Sequence, residues 1–130
     1  MRMWMVDPSI MCNKYLTAEH YEIHMFIGTI SKGKSVSGFI KNNLLEPSSL
    51  YDRHNEIVNE MEKRNMFHSS DLNKGIVDKI LKNNLTKEEL NHKINKDKAL
   101  KELKERCYRD SSGVEHFGKF YDKEEDKKGE

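Results

Sequence analysis

Two histidines that could bind a metal ion, His20 and His24, lie four residues apart near the start of the chain. On a helix they would share one face, as two ligands of a zinc site can. Glu22 would point about 200° around the helix from His20, and the sequence shows no third ligand nearby. We therefore expect no metal and no cofactor, and we interpret both histidines as hydrogen-bonded residues beside the core.

Two glutamates occupy unusual positions relative to the apolar residues of the same segment. Glu22 would lie at the edge of the apolar stripe, where partial burial favours a neutral carboxyl and suits proton transfer near neutral pH. The pattern alone favours the alternative, a solvated glutamate at the helix edge. Glu19 would lie near the middle of the stripe, so its carboxylate needs a partner such as Arg2 or a basic residue of another helix.

The elements that must position these residues are predicted to be helices, because apolar residues recur at helical spacing. The predicted helices cover residues 18–31 with Thr17 as N-cap, a short stretch ending near 41, 50–64 with Ser48 or Ser49 as cap, 74–82, and 86–107 opened by the capping box Thr86-Lys87-Glu88-Glu89. Residues 1–14 form an arm whose Trp4 and methionines pack inward. We predict an all-α, compact, single-domain helical bundle over residues 1–121, with long irregular connections and a charged, solvated tail over 122–130.

The composition, with 35% hydrophobic and 35% charged residues, is that of a soluble helical domain. No apolar run approaches the roughly 20 residues that a membrane helix needs, and Asp7 and Pro8 interrupt the place of a secretion signal. We expect an intracellular, cytoplasmic monomer in which Cys12 and Cys107 are reduced thiols rather than a disulfide. The net charge of +1 is low for a duplex-DNA binder, so such a function would require positive charge on one face.

Several blocks of sequence are familiar when they are taken together. They are Met1-Arg2, the run Leu16-Thr17-Ala18-Glu19-His20-Tyr21-Glu22-Ile23-His24-Met25-Phe26-Ile27-Gly28, the pair Gly33-Lys34 with Phe39, and the run from Arg53 to Arg64. These blocks resemble the pyrimidine-dimer DNA glycosylase family of the phage endonuclease V type. The likeness covers residues 1–66 well and residues 70–121 poorly, and it implies a compact helical fold.

The resemblance also implies a mechanism, that of a bifunctional glycosylase and abasic-site lyase acting on double-stranded DNA that contains a lesion or an abasic site. In that family the N-terminal α-amine displaces the damaged base, and the resulting Schiff base permits strand cleavage by β-elimination. Here the implied nucleophile is the α-amine of Met1, since methionine is normally retained before arginine, and Glu22 would handle the protons. An α-amine titrates near 7.7–8.0, well below lysine, as a nucleophile at cellular pH requires. The resemblance assigns a backbone phosphate to Arg2.

The chain departs from the phage branch at Tyr21 and Met25, where that branch has arginines that grip DNA. We expect these two residues, together with His20, His24, Lys32 and Lys34, to form the rest of the DNA contact. Of the family's aromatic and basic C-terminal segment, His116, Phe117, Lys119 and Tyr121 remain. Two other functions stay open, a nucleic-acid-binding module that kept the fold without the chemistry and a protein-interaction bundle.

Overall fold

A computed structural model describes residues 1–68 and 70–110, with side chains for 1–68 and 70–107. In chain order the helices are α1 (Asn13–Ser31), α2 (Ser37–Lys41), α3 (Leu50–Lys63), α4 (Lys74–Asn84), α5 (Lys87–Asn91) and α6 (Lys96–Asp110), and short 3₁₀ turns cover Pro8–Ile10 and Pro47–Ser49. The described stretches contain no strand, which confirms the all-α prediction. The cluster from His116 to Tyr121, the predicted boundary at 121 and the charged tail lie outside the described residues.

The longest helix, α1, packs against both α3 and α4 and presents its apolar stripe to the core. Its buried residues include Ile23, Phe26 and Ile30, each fully shielded from solvent. The predicted start at residue 18 was wrong, because the helix begins at Asn13 with Cys12 as N-cap and without a capping side chain. The core contacts of Leu16, which is also fully buried, favour the extra helical turn over a cap at Thr17.

The predicted helix over residues 86–107 is two helices. The capping box is present, since Thr86 and Glu89 exchange side-chain and backbone hydrogen bonds, but α5 ends at Asn91. Two long-range hydrogen bonds explain the break: the backbone N–H of Ile94 donates to Glu46 Oε1 at 2.8 Å, and that of Asn95 donates to Asn43 Oδ1 at 2.7 Å. These N–H groups therefore cannot continue the helical ladder of α5.

The last helix, α6, buries one face against the core. The side chains of Ala99, Leu103 and Cys107 on α6 are fully buried. Cys107 lies beside Cys12, with 3.7 Å between the two Sγ atoms, and the two cysteines are thiols rather than a disulfide, as expected. Helix α6 therefore closes the core under the N-terminal arm.

The partner of Glu19 is Arg53 on α3. The sequence predicted either Arg2 or a basic residue of another helix, and the second of these is present. Arg53 donates to both carboxylate oxygens of Glu19, from Nε at 2.6 Å and from Nη2 at 3.0 Å. Its Nη1 also donates to the carbonyl oxygen of Val6 in the arm, at 2.5 Å. Since both side chains are almost completely buried, this pair joins α1, α3 and the arm through fully desolvated groups.

Among residues 1–68 and 70–110, none of the helices combines the length and the apolar character needed to span a lipid bilayer.

Candidate active site

The N-terminus of the chain lies against the edge of α1 that carries Glu22. The α-amino nitrogen of Met1 is 3.6 Å from Glu22 Oε1, and the backbone N–H of Arg2 donates to the same oxygen at 3.1 Å. The side chains of Met1 and Glu22 keep 19% and 21% of their surface exposed. The structure therefore brings an amine and a carboxylate together at a place that a substrate can reach.

The arm that delivers the amine is held immediately after Arg2. The N–H of Met3 donates to the carbonyl oxygen of Leu44 at 2.7 Å, and the side chains of Met3 and Trp4 are buried in the core. Packing of the inward-pointing residues, as the sequence predicted, thus fixes the direction in which the chain emerges toward Glu22. An amine on a free arm would sample many positions, whereas this one is held near its carboxylate.

The Arg2 side chain is placed differently from the phosphate-binding role that the resemblance assigns to it. Its Nη1 donates to Glu102 Oε2 on α6 at 2.6 Å, and its guanidinium lies 3.6 Å from the centre of the Trp4 ring. The residue is only 5% exposed, so its charge is directed into the protein. Glu102, which lies 100 residues away and holds the arm through this pair, could not be identified from the sequence.

Burial changes the acid–base properties of Glu22. Loss of solvent raises the pKa of its carboxyl above the ordinary value of 4.5, although the α-amine and the N–H of Arg2 act in the opposite direction. Glu102 shows the reverse effect, because its hydrogen bond from Arg2 lowers its pKa. Glu22 therefore takes up a proton more readily than an exposed glutamate, which is the property that a general acid–base group needs.

The other residues predicted to contact DNA divide into exposed and buried ones. Tyr21 and Met25 are 65% and 53% exposed, and they lie one helical turn apart on the outer face of α1. Lys32 and Lys34 are exposed at the end of the same helix, where Gly33 adopts a φ of 72° and turns the chain. His20 is 6% exposed, so the direct DNA contact expected of it is not available in this structure.

His20 and His24 belong to a histidine cluster that the sequence did not reveal. It consists of His20 and His24 on α1, His54 on α3 and His68 in the turn after α3, with neighbouring ring centres 4.8–5.4 Å apart. Burial, together with the neighbouring rings, lowers the pKa of His20 to about 4. The sequence showed only the spacing of His20 and His24, and the fold brings His54 and His68 to this pair.

The first part of the chain matches a sequence model of a known protein family. The family is described as pyrimidine dimer DNA glycosylase, and the match covers residues 1–74 of 130. This stretch contains Met1, Glu22 and the whole of α1 and α3. Searches of curated proteins and of solved structures find no match.

Proposed function

Because the chain belongs to the pyrimidine dimer DNA glycosylase family, we propose that it excises damaged pyrimidines, in particular pyrimidine dimers, and then cleaves the strand as an abasic-site lyase. The observation that carries this proposal is the 3.6 Å separation between the Met1 α-amine and Glu22 Oε1. A glycosylase of this kind needs an amine nucleophile and a proton-transfer group within reach of one sugar. The proposal requires that Met1 be the first residue of the active protein.

In the first half of the reaction, the neutral Met1 amine attacks the anomeric carbon of the damaged nucleotide. The bond from that carbon to the base breaks, and the base leaves with the bonding electrons. Glu22 is placed to receive the proton that the amine loses as the new carbon–nitrogen bond forms. Glu22 then returns its proton to the ring oxygen as the bond from the anomeric carbon to that oxygen breaks. The nitrogen lone pair forms the C=N bond of a protonated Schiff base, whose positive charge the Glu22 carboxylate stabilises.

In the second half, the Schiff base acidifies the proton on the neighbouring sugar carbon. Removal of that proton to a base breaks the carbon–oxygen bond to the 3′ phosphate, and hydrolysis of the Schiff base regenerates the amine. Glu22 is the carboxylate nearest this chemistry, since Glu19 is fully buried and paired with Arg53. Its raised pKa suits a group that accepts and returns protons during one cycle.

The outer face of α1 is the proposed DNA surface. Tyr21 offers an exposed ring on which an unpaired base can stack, a contact worth about 1–3 kcal/mol per base. Lys32 is the C-cap residue of α1 and follows Glu22 by ten residues. At a rise of about 1.5 Å per residue, Lys32 lies about 15 Å from Glu22 along the helix axis. That distance is about four base pairs of axial rise, so Lys32 and Lys34 would hold phosphates away from the lesion while the amine works at it.

The proposal is tested by trapping the Schiff base with sodium borohydride on two duplexes, one with an abasic site and one with a pyrimidine dimer. We expect a covalent adduct with both, mapped by peptide mass spectrometry to Met1. Addition of one residue before Met1 should abolish the adduct, because the nucleophile is displaced. Glu22→Gln should lower turnover by about 10²–10⁴-fold with an unchanged circular dichroism spectrum, whereas Glu62→Gln, at an exposed position on α3, is the matched control.

Absence of an adduct with both duplexes would overturn the lyase mechanism. Salt-sensitive binding to damaged duplex, without trapping and unaffected by a blocked amine, would instead identify a non-catalytic DNA-binding member of the family. Trapping on the abasic duplex alone would retain the amine chemistry and remove the pyrimidine dimer as substrate.

A further inference from the structure

Three separate parts of the chain contribute to the histidine cluster. Helix α1 supplies His20 and His24, α3 supplies His54, and the turn before α4 supplies His68. One ligating nitrogen from each of His20, His54 and His68 lies within 4.8 Å of the others. Such convergence of imidazoles from distant segments requires the tertiary fold, and it lies on a different edge of α1 from Glu22.

The hydrogen bonding of these rings is incomplete. The Nε2 atoms of His20 and His24 are buried and have no hydrogen-bond partner in the part of the chain that the structure describes. The Nε2 atoms of His54 and His68 both face one acceptor, the carbonyl oxygen of Ser70, at 3.1 and 2.8 Å. Buried imidazole nitrogens without partners are costly, and a bound cation would satisfy their lone pairs.

We propose that the histidine cluster is a binding site for a divalent transition-metal ion of the zinc class, held by His20, His54 and His68. Zinc binds imidazole nitrogen at about 2.0–2.1 Å in a tetrahedral arrangement, which sets the ligand nitrogens about 3.4 Å apart. The three histidine nitrogens are at present no more than 4.8 Å apart. To reach the zinc spacing, each nitrogen would move by no more than about 0.8 Å. Rotation of the side chains supplies a movement of this size.

The donor set selects the class of metal. The three ligands are imidazoles, which suit zinc, nickel, copper and cobalt, whereas magnesium and calcium require oxygen ligands. The ring of His24 lies 4.9 Å from those of both His20 and His54, so its Nε2 is the candidate fourth ligand. The closed four-ligand arrangement that results is typical of a structural site rather than a catalytic one.

An outer hydrogen-bond partner and an access route complete the site. Asn55 Oδ1 lies 3.1 Å from Nδ1 of His54. Partners of this kind hold a ligating histidine in the tautomer that turns Nε2 toward the metal. A cavity of about 180 Å³, lined in part by His20, His68 and Phe67, leads from the surface to the cluster and is the route by which a metal ion would enter.

The test uses the full chain, stripped with a chelator and dialysed. Titration with Zn²⁺ in a calorimeter should show one equivalent bound, and the melting temperature should rise with Zn²⁺ concentration. Co²⁺ should give the visible spectrum of tetrahedral coordination without thiolate charge transfer, which distinguishes the histidines from the Cys12–Cys107 pair. His68→Ala should weaken Zn²⁺ binding at least about 100-fold, and Asn55→Ala about 10-fold, since outer partners alone contribute 10–100-fold.

His92→Ala is the matched control, because the Nε2 of His92 is also buried and has no partner among the described residues, yet His92 lies outside the cluster. It should bind Zn²⁺ as the unchanged chain does. Absence of stoichiometric binding to the unchanged chain, a thiolate-type Co²⁺ spectrum, or equal affinity in His68→Ala would each overturn the proposal. If His68→Ala fails to fold, Asn55→Ala decides: affinity equal to that of the unchanged chain counts against the site.

Discussion

Replacement of Gly28 by alanine separates the stability of α1 from its proposed contact with DNA. Gly28 lies within α1, yet a Cβ atom built on it would meet nothing within 4 Å. It lies seven residues after Tyr21 and four before Lys32, so the three share the outer face of the helix. Close packing inside the protein therefore does not require glycine here, although glycine in a helix costs stability.

The gain in stability can be estimated from this geometry. Alanine is favoured over glycine within a helix by about 0.5–1 kcal/mol. Unfolding entropy is about 2.1 cal/mol/K per residue, or about 0.27 kcal/mol/K for a chain of 130 residues. Gly28→Ala should therefore raise the melting temperature by about 2–4 °C, measured by circular dichroism. Gly38→Ala, on α2 and equally without close neighbours, controls for the helical preference alone.

The effect on DNA binding should have the opposite sign. A glycine permits close approach of another backbone, and a methyl group at this position would hold the phosphates away from α1. Loss of one phosphate contact worth about 1 kcal/mol weakens binding roughly three- to tenfold, measured by fluorescence anisotropy on damaged duplex at fixed salt. Unchanged affinity in Gly28→Ala would refute the docking of DNA on this face, and a lower melting temperature would refute the open space around the residue.

Two further predictions concern the pairs that hold the arm. Arg53→Ala should lower the free energy of unfolding by about 3–5 kcal/mol, because it leaves the buried Glu19 carboxylate without its partner. Urea denaturation measures this, and a loss below about 1 kcal/mol would contradict it. The lowered pKa of Glu102 means that its pair with Arg2 stabilises the fold above the ordinary pKa of 4.5 and that this contribution disappears as the pH falls below that value. Glu102→Gln should therefore have a lower melting temperature than the unchanged chain at pH 7, and this difference should shrink as the pH is lowered below 4.5. A difference that stays constant would contradict the assignment.

The parts of the fold that the sequence predicted are those governed by local rules. The apolar period located α1 and α3, and the capping box at Thr86 located the start of α5. Glu19 could be recognised as needing a basic partner, because a carboxylate in an apolar stripe is costly without one. Its partner Arg53 could not be chosen from the sequence, since that choice depends on how α3 packs across α1.

The errors arose where tertiary contacts override local preference. Asn95, whose side chain accepts from the N–H of Lys98 at the start of α6, was a local N-cap signal within residues 86–107. The acceptors that draw the chain out of the helical ladder, Glu46 and Asn43, lie far away in the chain and could not be predicted. The histidine cluster was missed for the same reason, since His54 and His68 approach His20 only through the folded chain. Helical spacing indicates which residues of one helix share a face. Which residues of other helices contact that face depends on how the helices pack together.

The position of the N-terminal amine depends on residues beyond the stretch that matches the family. The match ends at residue 74, but the Arg2 side chain is anchored by Glu102 on α6. Helix α6 is in turn joined to the chain ahead of α3, because Ile94, just before it, donates to Glu46. A folded piece ending at residue 74 would keep Glu22 and lose the contact that holds the Arg2 side chain. The second half of the chain therefore serves the proposed chemistry by helping to hold the first residues in place, although the family match does not extend into it.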